Sequence, residues 1–148
     1  MKIRLLLATL VCAVMTVPGL RAEDARKEAE TELGAKMEKM GGAFRKLRRQ
    51  VADASKNQDS LAQVAIIREN ATAALKLEPA KKADLPAADQ AKFVAAYRVE
   101  MKEFISLAGK LETALKAGNN EEAAKLCSAM GDEQKKGHKE FQKKKERK

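Results

Sequence analysis

Apolar side chains recur along this chain at alternating spacings of three and four residues, the period of a helix with one face turned inward. Leu33, Met37, Met40, Phe44, Leu47, Val51 and Ala54 form the first such stripe and predict a helix from Asp24 to about Ala54. Gly41-Gly42 interrupts it, at roughly 1 kcal/mol per glycine relative to alanine. The same two small residues leave room, one turn past Met37, for a bulky planar ligand. A polar connector, Ser55 to Ser60, supplies N-cap candidates for a second helix. Leu61, Val64, Ile67, Ala71, Ala74 and Leu75 mark that helix, which Pro79 ends because proline disfavours helical geometry in the residue before it. A linker runs from Pro79 to Pro86. Val94, Tyr97, Met101, Phe104, Ala108, Leu111 and Leu115 then predict a third helix over Ala87–Lys116. Gly118-Asn119-Asn120 reads as a helix stop followed by a cap. Ala123, Cys127, Met130, Gln134, His138 and Phe141 line the inner side of a fourth helix, beyond which the lysine-rich end should fray.

No alternating β-branched runs of the kind a sheet needs are present. Short connectors between amphipathic helices make successive helices antiparallel, so the expected fold is all-α, an antiparallel up-down-up-down four-helix bundle. Composition agrees. Aromatics make up 3% of the 148 residues and tryptophan is absent, while alanine and straight-chain residues, which lose little freedom in helices, dominate.

The first segment stands apart from the bundle. Lys2 and Arg4 precede an apolar run from Leu5 to Val17, then Pro18-Gly19 and Leu20-Arg21-Ala22. This is the layout of a secretion signal cleaved after residue 22, and the run is too short for the roughly 20 apolar residues of a membrane span. The mature chain, 23–148, is then expected to be one domain, off the membrane and in the periplasm. Losing Lys2, Arg4 and Arg21 lowers the net charge from +9 to +6, a balance that favours acidic partners. Cys12 leaves with the signal, and Cys127 remains without an intramolecular partner. Its apolar neighbours Leu126 and Met130 suggest a buried, inert thiol.

Candidate chemistry rests on one residue pair. Met37 lies eighteen positions before Ser55, and His138 lies eighteen positions after Asn120. At ~1.5 Å per residue both stand at one height on neighbouring helices. A thioether facing an imidazole is the axial pair that holds a low-spin haem iron. Met40 is off level by about one turn and is the reserve ligand. Met101 and Phe104 on the third helix and Leu75 on the second fall near the same height and would flank a flat macrocycle. Any one of these positions alone is ordinary core packing; the level match distinguishes the set. The competing reading is an exported, haem-free helical binding or chaperone-like protein. Nucleic acid is disfavoured by the scarcity of aromatics for base stacking, despite Arg45-Lys46-Leu47-Arg48-Arg49. No second histidine or base near Cys127 in sequence supports enzymatic chemistry.

These residues also resemble those of the cytochrome b562 family, from about Leu33 to Gln142. Leu33-Gly34-Ala35-Lys36-Met37 is similar to the family's first-helix stretch with its methionine ligand. Gly137-His138-Lys139-Glu140-Phe141 is similar to its C-terminal histidine segment. Leu111-Glu112-Thr113-Ala114-Leu115-Lys116 and the Pro79–Pro86 linker match in place and composition, and Phe104 falls where the family has a haem-contacting phenylalanine. The resemblance implies a periplasmic bundle with one non-covalent haem b per chain, held by Met37 and His138, carrying electrons as a monomer between redox proteins. Two departures stand out. The family's arginines one turn either side of the histidine are Gln134 and Gln142 here, leaving Lys135, Lys139 or Lys145 to neutralise the haem propionates. A family aromatic one turn before Phe104 is Glu100. No Cys-x-x-Cys-His occurs, so covalent attachment is not expected.

Overall fold

The computed structural model describes residues 31–143. The expected signal at 1–22, the Asp24–Glu30 part of the first helix and most of the lysine-rich tail lie outside them. Among the described residues the chain is all-helical: α1 (Glu32–Gln50), α2 (Asn57–Ala74), α3 (Ala87–Lys116) and α4 (Asn120–Phe141), with 3-10 turns at Ala54–Lys56 and Ala80–Asp84. No described helix is long and apolar enough to cross a membrane.

Local chemistry explains the boundaries. The Thr31 hydroxyl accepts from the Gly34 amide at 2.9 Å and caps α1. Helix α1 stops at Gln50, short of the expected Ala54, because Asp53 organises the next turn, accepting from the Ser55 amide at 2.9 Å and the Ser55 hydroxyl at 2.7 Å. Consequently α2 begins at Asn57, inside the stretch expected to be a connector over Ser55–Ser60. Ser60 is instead a fully buried helical residue. Helix α3 has its expected bounds. It ends in a Schellman motif: Gly118 takes φ +71°, its amide donates to Leu115 O at 3.0 Å, and the Asn119 amide donates to Ala114 O at 2.9 Å. Asn119 then caps α4 by accepting from the Glu122 amide at 3.1 Å.

Two apolar clusters form the interior. The larger joins Phe44, Leu47, Val64, Ile67, Leu111 and Met130 with their neighbours. The smaller joins Met40, Ala71, Ala74, Tyr97, Met101 and Phe141, and Phe104 packs against both. At the end beside the larger cluster, Asn57 and Asn120 exchange side-chain hydrogen bonds of 3.2 and 2.6 Å, and Asn120 also donates to Val51 O at 2.8 Å. These bonds bring the α1–α2 and α3–α4 connectors together. At the smaller cluster, Tyr97 Oη donates to Ala74 O at 3.0 Å, and Phe141 packs on Phe93 and Tyr97 with ring centroids 5.3 and 5.6 Å away. Lys143 pairs with Asp84 at 2.9 Å, tying the end of α4 to the second linker. Adjacent helices pack closely along the chain order, whereas α1 and α4 meet only sparsely.

Candidate functional site

The sparse meeting of α1 and α4 has a structural counterpart. A cavity of about 610 Å³ lies there, walled by both helices with α3 behind, within the ~300–1,000 Å³ usual for small-molecule and cofactor sites. Its walls carry Met37, Met40, Met101, Phe104 and His138, five of the six residues singled out from sequence. Leu75 is the exception. It caps the end of α2 and packs against the smaller cluster, and α2 contributes nothing to this wall. Leu75 therefore does not reach the cavity, contrary to the expectation from its position along the second helix.

The two methionines differ in setting. Met40 is 6% exposed and belongs to the core. Met37 is half-buried and packs on the edge of that cluster. His138 is exposed, one turn before the end of α4, and lines the cavity. Glycines open the walls beside both: Gly34 and Gly41 on α1, Gly137 on α4. A Cβ added at Gly137 would meet nothing within 4 Å.

The cavity also has charged walls, which hydropathy patterning did not bring out. Glu100 and Glu133 line it, and with Glu103 their carboxylates gather within 4.8 Å. Lys136 bridges them, 2.7 Å from Glu100 and 3.9 Å from Glu133. One oxygen of each of Glu100 and Glu133 is shielded from solvent. Burial, then hydrogen bonding with Glu100, pushes the Glu133 carboxyl above its ordinary value, against the pull of Lys136. Opposite, α1 contributes Arg45 and Arg48, with Arg48 5.9 Å from the Phe44 ring centroid. The signal for Arg45 was its spacing: positions 37, 41 and 45 share one helix face. Gln134 and Gln142 are on the wall as well. Tyr97, on the same wall, is pushed up to about 12 by burial. Cys127 is buried and its thiol is pushed up to about 11, the same cause outweighing nearby Arg48.

No curated protein and no solved structure matches the chain. A family model described as cytochrome b562 matches residues 32–142, which takes in all four helices. The chain therefore belongs to the cytochrome b562 family, helical proteins that bind a b-type haem.

Proposed function

We propose that this protein is a periplasmic electron carrier that holds one non-covalent haem b per chain between Met37 and His138. The observation that carries the reading is that these two residues, 101 positions apart in sequence, line one cavity between α1 and α4. The residues present fit such a group. A soft thioether and an imidazole suit iron; Gly137 leaves open space beside His138; Phe104, Met101 and Met40 offer apolar contact.

In this reading the helices run up, down, up and down, which brings the start of α1 beside the end of α4. Residues 1–22 are the cleaved export signal and 23–148 the single domain. Met37 and His138 would both hold the iron. Bound haem would supply a one-electron couple, at a potential that methionine ligation raises. The paired helices keep both ligands in place through the change of oxidation state. The basic surface favours acidic redox partners with salt-dependent association, and the protein acts as a monomer.

Haem-loaded protein, reduced, should show the sharp α and β bands of a six-coordinate low-spin b-type cytochrome, and His138→Ala should abolish them. A chain that stays colourless on haem addition would refute the reading and favour a haem-free binding role.

A further inference from the structure

The cavity has two charged sides. Glu100 and Glu133, with Glu103 beside them and Lys136 between, stand on the α3–α4 side. Arg45 and Arg48 stand on α1, where Glu38 is the acid on the same wall. The α3–α4 acids already have a cation in Lys136. Among the described residues, neither Arg45 nor Arg48 has a carboxylate within ion-pair distance.

Arg45 is also aimed. Helical side chains lean toward the N-terminus of their own helix, which for Arg45 is toward Met37. Its guanidinium runs over Gly41, with Nη1 3.8 Å from where a Cβ of that residue would lie. A guanidinium beside an apolar cavity, with no carboxylate of its own, is a receptor for an anionic group of the occupant. The fourth helix offers no such charge at Gln134 or Gln142. Of the lysines considered from sequence, Lys135 pairs with Asp132 at 2.9 Å, Lys139 is not on the wall, and Lys145 lies outside the described residues.

We propose that Arg45 receives a carboxylate of the cavity's ligand, with Arg48 as the second cation about one turn further along α1. This rests on the haem reading, where the carboxylate is a propionate. Anion pairing then falls to the first helix, and Glu100 and Glu133 repel the same group from the opposite wall. Together they set which way round the macrocycle sits.

The test titrates apoprotein with haem and with haem dimethyl ester, which lacks the charges, following the Soret band of wild type, Arg45→Gln and Arg45→Lys. Arg45 is exposed, and helical circular dichroism checks that the variants keep their fold. Wild type should prefer haem over the ester by about tenfold, the scale of one charge-assisted hydrogen bond. Arg45→Gln should lose that preference by weakening haem alone, and Arg45→Lys should restore most of it. An Arg45→Gln variant that keeps the preference, or weakens both porphyrins equally, overturns this inference alone. Wild type that binds neither overturns the haem reading with it.

Discussion

Met37 and Met40 sit one turn apart on α1 in different surroundings. Met40 is packed among Ala71, Ala74, Tyr97, Met101 and Phe141, so Met40→Ala should cost about 2–5 kcal/mol in urea unfolding while leaving the low-spin spectrum intact. Met37 is half-buried on the cavity wall. Met37→Ala should change stability far less and turn the spectrum high-spin. Glu133 gives a pH signature. Its carboxyl is raised above the ordinary 4.5, so the folded state holds that proton longer than the unfolded chain does. Its contribution to stability therefore declines as pH rises from 4.5 through the raised value. Urea midpoints measured across that window should fall for wild type and flatten in Glu133→Gln. Cys127, with its thiol pushed up to about 11, should resist iodoacetamide at pH 8 while folded and react at once in urea. The cysteine and both methionines were legible from apolar spacing. Glu100, Glu133 and Arg45 were not, because a stripe argument tracks apolar faces and a cavity admits charge onto them.

The helix boundaries were legible where a residue's own chemistry sits at the junction. Pro86 before α3 and Gly118-Asn119 after it have no other reading, and those bounds agree with the spacing. The α1–α2 junction was misplaced because Asp53 caps a 3-10 turn, a use of aspartate that resembles a helix cap in sequence. Ser60 looked like a cap for the same reason, yet it lies inside α2 with its hydroxyl buried and without a partner. The junctions support two expectations. Gly118→Ala must place a Cβ at φ +71° and should cost about 1–2 kcal/mol, without changing ligand spectra. Asn120→Ala leaves both Val51 O and the Asn57 amide short of a partner and should cost about 1–3 kcal/mol. A double-mutant cycle with Asn57→Ala should show the two losses to be less than additive.

Across the whole molecule, packing is uneven. Leu47, Val64, Ile67, Leu111 and Met130 fill one half without exposure, while the other half surrounds the 610 Å³ cavity. Local stability should follow that division. In apoprotein, amide exchange should be slowest around Ile67 and Leu111 and faster at residues 32–40 and 134–141. Haem should slow exchange in those two segments and raise the urea midpoint, since a ligand at a hundred times its Kd adds about 2.7 kcal/mol. The bundle as a whole was legible because four stripes and three connectors leave little topological freedom. The angular position of the cavity was not, since helical spacing gives a residue's height and face but not which neighbour leaves a gap.

The reciprocal amide pair of Asn57 and Asn120 acts as a pivot. It fastens the molecule at the far end from the cavity. Breaking it with Asn120→Ala should therefore loosen haem binding from a distance, a weaker Soret titration with no cavity residue changed.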